Sequence, residues 1–331
     1  MKRKKDPQSQ KKQAPSTKGV RRVSVSEGQA GQRVDNFVRA QLKGVPRSRV
    51  YQMLRKGEVR VNGGRCKPAD RLAAGDAARL PPAETRAPAE ASRIPEALRE
   101  QLEQAVLFED SALAVFDKPS GLAVHGGSGT PYGLVEALQA MRPGVEWGLA
   151  HRLDRGTSGC LVVGKGAKAT RALQALFREE GVDKAYLALV VGAWPGGEHT
   201  ETAPLRRGPE QGGKRRMVVD VQEGQAATTR FIGLRPFADY ALVRAEPKTG
   251  RTHQIRAHAA HWGHPVAGDG LYGERATNTT LKSLGLKRIF LHSAEIAFVH
   301  PESGERVHFR APLPEDLKSV LDRLQGKHET P

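Results

Sequence analysis

The stretch His151-Arg152-Leu153-Asp154-Arg155-Gly156-Thr157-Ser158-Gly159 is polar and charged, and Cys160-Leu161-Val162-Val163 follows it at once. A short unbroken apolar run of this kind predicts a buried strand. The polar stretch therefore sits at the mouth of a core. Asp154 lies between Arg152 and Arg155. Gly156 and Gly159 permit a tight backbone path, and Thr157 and Ser158 can bond neighbouring backbone groups. Two readings are open on these residues alone. One is a charged turn with a surface ion pair, which contributes little. The other is a loop that holds one carboxylate, kept ionised by adjacent cations, at the edge of a cleft.

The chain around this stretch has 331 residues, 38% of them hydrophobic. That suffices for one large domain and one small one. No apolar run approaches the roughly 18 residues of a membrane span, and the charged N-terminus lacks the apolar segment of a signal peptide. Cys66 and Cys160 lie far apart and form no metal or redox spacing. Cytoplasmic residence is the expectation. Net charge is +17, of which residues 1–22 carry +8 and residues 31–82 another +8, so the remainder is close to neutral. A basic front end on a neutral body points to an electrostatic nucleic-acid-binding module attached to something else.

Residues 1–22 have almost no apolar content and read as a disordered basic tail. A compact unit is expected over 23–82. Val34, Phe37, Val38 and Leu42 follow helical spacing, and Val50, Tyr51, Met53 and Leu54 predict a second short helix stopped by Gly57. Val59 and Val61 alternate like a strand, and Asn62-Gly63 signals a tight turn. Residues 83–105 have a linker's composition, with Ile94, Leu98 and Leu102 placed for a short helix. A mixed α/β domain is expected over 106–325, with 326–331 a tail. Its strands include Leu113–Phe116 and Lys184–Gly192. In Pro247–His258, Gly250 allows a sharp turn and Thr252 is the expected cap of a helix beginning there. His253, His258, His261 and His264 lack helical metal-binding spacing, and no carboxylate or Cys completes a shell, so no metal is expected. Gly126-Gly127 shows neither dinucleotide nor nucleotide-triphosphate spacing. Lys214, Arg215 and Arg216 form a further basic cluster.

His-Arg-Leu-Asp-x-x-Thr-Ser-Gly at 151–159 and Thr-Gly-Arg-Thr-His-Gln-Ile-Arg-x-His at 249–258 resemble the signatures of the RluA-type pseudouridine synthases. Lys118-Pro119-x-Gly121-x-x-Val124-His125 and the Lys-x-Tyr-x-Ala strand at 184–188 fit the same family. Residues 31–82 resemble an S-four-type RNA-binding domain. The resemblance covers roughly residues 30–325, in the domain order of the members that act on large-subunit (23S) ribosomal RNA. It implies an α+β fold: a mixed, largely antiparallel sheet with flanking helices and a cleft, plus the small N-terminal RNA-binding domain. It also implies an isomerase that converts uridine to pseudouridine in ribosomal RNA. Asp154 would be its nucleophile, Tyr186 would stack on the flipped base and serve in deprotonating C5, and Arg152 would fill the gap left by the base. Arg251 is the expected partner of Asp154, with Arg256 as the fallback should the helix start elsewhere. In the front domain Arg47, Arg49, Arg55 and Lys56 would face RNA. The product is an isomer of the substrate, so the reaction requires no cofactor. A monomer is expected. A non-catalytic RNA-binding or ribosome-assembly protein is the alternative, together with a relative of RluD type acting at other sites. A metal-dependent nuclease is disfavoured by the absence of a carboxylate cluster.

Overall fold

A computed structural model describes residues 19–42, 45, 47–82, 94–126, 132–179, 181–211 and 214–326. Most of the expected tail at 1–22, the first part of the expected linker, and residues 327–331 lie outside the described residues. The chain divides into two units, Met1–Arg93 and Ile94–Pro331.

In the first unit, helices Val34–Gln41 and Arg47–Lys56 pack on a four-stranded antiparallel sheet. The predicted apolar faces form its core: Val34, Phe37, Val38, Leu42, Val50, Met53 and Leu54 are all buried. Gly57 takes a positive φ of 68° at the end of the second helix. The tight turn falls where Asn62-Gly63 predicts it, both residues having positive φ, and joins the short strands Arg60–Val61 and Gly64–Arg65. Arg21 and Arg22, expected in the tail, open the strand Arg21–Ser24. Asp35, in the first turn of the first helix, is buried. It accepts two bonds from Arg33 and one from Tyr51, and these partners hold its carboxyl at about 2.

The second unit is built on one mixed sheet of ten strands. From one edge the order is Glu198–Glu201, Thr229–Pro236, Tyr240–Pro247, Val182–Val191, Leu291–Val299, Ser158–Lys165, Leu113–Lys118 and Val106–Glu109. Arg306–Arg310 and Trp147–Leu149 pair at its side. Every pairing is antiparallel except that of Ser158–Lys165 with Leu291–Val299. The unbroken run Cys160–Val163 is explained by this position: Leu161 and Val163 enter one core while Cys160 and Val162 enter another. A strand covered on both faces has no polar side to alternate with.

The parallel pairing also fixes where the polar loop ends. Gly159 lies opposite Ser293 with φ at 106°, and a Cβ built on it would come within 2.2 Å of the Ser293 carbonyl oxygen. Only glycine fits both the conformation and the approach. A helix over Glu96–Gln104, with Leu102 fully buried, leads into the first strands of this unit.

Candidate active site

Residues 151–154 and Thr157 form one wall of a cleft of about 530 Å³, a size suited to a nucleotide-scale ligand. The loop is tied down from behind. Lys118 is fully buried, and its ammonium donates to the carbonyls of Pro119 and Leu122 at 2.8 and 2.9 Å and more distantly to that of Arg155. Ser120 donates to the Gly156 carbonyl, and Arg155 exchanges bonds with Gly121. Burial and the nearby Arg288 bring the Lys118 ammonium down to about 7. The turn 118–122 thus serves as the backing of the loop that carries Asp154. His151 is stacked on Phe177 at 4.2 Å, and its Nε2 accepts the Val162 N–H. It is therefore neutral, and burial pushes it down to about 3.

Asp154 projects into the cleft with about a third of its side chain exposed, and Arg256 donates to it from Nη1 at 2.8 Å. Arg256 also grips Asp269 bidentately, Nε and Nη2 lying 2.7 and 2.8 Å from the two oxygens. The Asp269 carboxylate is fully buried and accepts the Leu271 and Tyr272 amides as well. These carboxylates raise the Arg256 pKa even though burial opposes it. The charged, bidentate pair leaves one guanidinium edge aimed at Asp154.

The expected pairing of Asp154 with Arg251 is corrected here. The helix begins at Gln254 rather than at Thr252, and the residue at its N-cap is His253 in the left-handed region. Gln254 turns its amide back: Oε1 receives the Arg251 N–H, and Nε2 donates to Thr228 and Thr229. Arg251 is left before the helix, exposed, with Nε on the Ala226 carbonyl. Arg256, two residues into the helix, takes the inward position. Arg251 still lines the cleft.

Tyr186 lines the same cleft from the strand Val182–Val191, with 8% of its surface exposed. Burial pushes its phenol up to about 12, so it meets the cleft as a neutral hydroxyl. Arg152 stands exposed at the rim. In the first unit, Arg49 is committed to Glu58 and Gln52. Arg55 and Lys56 are exposed on the same helix, and the side chain of Arg47 lies outside the described residues.

Three residues of the site carried no functional expectation: His253, Asp269 and Tyr272. His253 Nε2 is 3.6 Å from Asp154 Oδ2, and its Nδ1 is 3.2 Å from the Tyr272 hydroxyl. Asp269 and Tyr272 belong to the segment His264-Pro265-Val266-x-Gly268-Asp269-x-x-Tyr272-Gly273, which in sequence fits the same family and reads as a structural loop. Among the described residues no group of three His, Cys, Asp or Glu side chains converges as a metal set.

Comparison with known proteins gives concordant matches. The RNA pseudouridylate synthase family pattern matches residues 112–261, and the S4 domain pattern matches residues 32–77. The chain is 46% identical to ribosomal large subunit pseudouridine synthase C of Escherichia coli strain K12, over 94% of this chain and 98% of that one. It is 44% identical to the protein of the same name from Pasteurella multocida, over 92% and 94%. Among solved structures it is similar to human RNA pseudouridylate synthase domain containing 4, with a TM-score of 0.58 and 26% identity over 69% of this chain and 96% of that chain.

Proposed function

The chain belongs to the RNA pseudouridylate synthase family, and from that premise we propose that it isomerises uridine to pseudouridine in large-subunit ribosomal RNA. The relatives named above carry that substrate in their names, and they span nearly the whole chain, including the S4 domain. The reaction breaks the bond from N1 of uracil to the sugar and forms one from C5. The C5 proton leaves and N1 gains one, so atoms balance without a co-reactant.

The observation that carries this reading is the Asp154–Arg256–Asp269 chain at the wall of the cleft. A carboxylate that attacks the nucleotide, or shields a cationic sugar, must be ionised, oriented and open on one side. Asp154 is paired with the Arg256 guanidinium, oriented by that bond, and about a third exposed to the cleft. The target base must leave its stack to reach it. Tyr186 offers the flipped uracil a flat neutral face, and Arg152 at the rim takes the place the base vacates. Because the phenol of Tyr186 holds its proton near neutral pH, its part in removing the C5 proton would require it first to give up its own. Arg55 and Lys56 of the first unit add phosphate contacts without sequence choice. Substrate and product are isomers, so this reading calls for no cofactor. No helix among the described residues is long and apolar enough to cross a membrane.

The test is tritium release from C5-labelled, unmodified large-subunit ribosomal RNA with wild type and Asp154→Ala in parallel. Release by wild type alone is expected. Release by the variant would remove Asp154 from the chemistry. Tight RNA binding without release on large-subunit, small-subunit and transfer RNA would favour a binding-only protein. Mapping the modified uridines separates the C-type assignment from an RluD-type one.

A further inference from the structure

Tyr272 is where three observations meet. Its hydroxyl receives the Met217 N–H at 2.7 Å and lies 3.2 Å from His253 Nδ1. Its ring lies under the Arg256 guanidinium, 5.1 Å from the centroid. Met217 belongs to the two-stranded hairpin Leu205–Gln211 and Lys214–Val219, which stands apart from the ten-stranded sheet. The hairpin's apolar seat is small, formed with Leu205, Ala227, Ala257 and Tyr272. The bond from its backbone to Tyr272 adds a polar link from the hairpin to the site.

His253 has φ at 52°. A side-chain-bearing residue keeps that conformation only where its surroundings determine it. Burial lowers its pKa, so the ring is neutral and carries one proton. A hydroxyl also has only one proton to give. Nε2 faces the Asp154 carboxylate, which can only accept, so the ring proton belongs on Nε2. Nδ1 is then the acceptor for the Tyr272 hydroxyl, whose oxygen in turn accepts the Met217 N–H.

We propose that Tyr272 is a positioning residue that locks the Nε2–H tautomer of His253 against Asp154 and couples that tautomer, together with Arg256, to the seat of the Leu205–Val219 hairpin. Asp154 then has one charged donor from Arg256 and a neutral N–H facing it from His253. Displacement of the hairpin by bound RNA reaches both through one side chain. The role in catalysis rests on the uridine-isomerase reading; the tautomer itself does not.

The experiment has two readouts on the full-length protein. Ring ¹⁵N spectra of histidine-labelled protein report the tautomer, with His253→Gln assigning the signal. Wild type should show Nδ1 unprotonated, and Tyr272→Phe should shift the population toward the other tautomer. In parallel, single-turnover isomerisation of ribosomal RNA is measured in a double-mutant cycle. Tyr272→Phe should slow the step about ten-fold, the scale of one lost oriented hydrogen bond, with RNA affinity close to wild type and a melting temperature lowered by a few degrees because the Met217 N–H loses its acceptor. A glutamine amide at 253 presents its N–H where Nε2 stood and needs no tautomer lock. Adding Tyr272→Phe to His253→Gln should therefore cost less than about two-fold further. An equal loss in both backgrounds would mean that Tyr272 only fills space, and the proposal would fall. A protonated Nδ1 in wild type would also overturn it. Should wild type show the stated tautomer yet isomerise no uridine, the functional reading fails and the hydrogen-bond chain stands.

Discussion

Arg256 holds Asp154 with one nitrogen and Asp269 with the other two, at 2.8, 2.7 and 2.8 Å. Asp269 has no exposed side-chain surface, and its remaining acceptor capacity is used by two backbone amides. The guanidinium is therefore fixed from the buried side, and the direction of its third bond is determined before any substrate arrives. Catalytic carboxylates benefit from such preorganisation because no reorientation is needed as charge develops.

Removing this guanidinium has two separable consequences. Arg256→Ala leaves a buried carboxylate unpaired, which costs about 3 kcal/mol of stability, and frees Asp154. Single-turnover isomerisation should fall by about 10² or more. Arg256→Lys should recover part of the stability but little rate, since an ammonium cannot reproduce the planar fork. Arg251→Ala should change the rate by less than about three-fold and act mainly on RNA affinity. Rates and melting curves of the three variants decide the matter. A larger rate loss at Arg251 than at Arg256 would return the role to the residue expected from sequence.

Local sequence favours Arg251 over Arg256 as the partner of Asp154. The strand Cys160–Val163, the helix faces of the first unit and the loop carrying Asp154 are legible because each is a local pattern: an unbroken apolar run, a 3.6-residue spacing, a glycine pair in a charged stretch. The partner of Asp154 depends on where one helix starts. That start is set by Gln254 reaching back to Arg251 and across to Thr228 and Thr229, and by the left-handed backbone of His253. Thr252 is a plausible cap by type, and nothing local favours the later start. Asp269 and Tyr272 are less legible still. Their roles come from contacts with Arg256, Met217 and His253, which no spacing rule encodes.

Gly159 offers a test of the fold that is independent of catalysis. A methyl group there meets the Ser293 carbonyl at 2.2 Å in a backbone conformation that disfavours side chains. Both strands are central, so neither can move aside cheaply. Gly159→Ala should destabilise the protein by about 3 kcal/mol, seen as a fall in denaturant midpoint with an unchanged slope. A cost below about 1 kcal/mol would mean that the parallel pairing yields more readily than its position suggests.

Acid should weaken the protein before its carboxylates titrate. His292 is fully buried between Ser158 and the Ala311 carbonyl, and burial pushes it down to about 4; His151 is pushed down to about 3. Below the ordinary histidine value of about 6.5 the unfolded chain takes up protons that the folded chain refuses, so stability falls with falling pH. The contribution is complete above about 6.5 and is lost progressively down to about 4 for His292 and about 3 for His151. At pH 5 the His292 share is about 2 kcal/mol. Glu136 and Asp35, each held at about 2, act only at lower pH. His292→Gln keeps an N–H for the Ala311 carbonyl and has nothing to protonate. Its stability should therefore change less than that of wild type between pH 7 and 5 in denaturant titrations. Parallel curves for the two proteins would exclude His292 as a source of the acid limb.

The first unit should contribute affinity rather than chemistry. Arg55 and Lys56 are exposed on the helix Arg47–Lys56, whereas Arg49 is engaged with Glu58. Each phosphate neutralised by a free cation releases counterions and adds about 0.7 to 0.9 to the slope of log affinity against log salt. The double variant Arg55→Ala, Lys56→Ala should thus lower that slope by about 1.5 and weaken ribosomal RNA binding most at low salt. Its single-turnover rate at saturating RNA should stay within about two-fold, because neither residue lines the cleft. Arg49→Ala should reduce the slope less, its charge being already countered by Glu58. If the double variant bound with an unaltered slope, this helix would not be the RNA-facing surface, and exposed cations of the catalytic unit, among them Arg152, Arg178 and Arg251 at the cleft, would have to supply the electrostatic attraction instead.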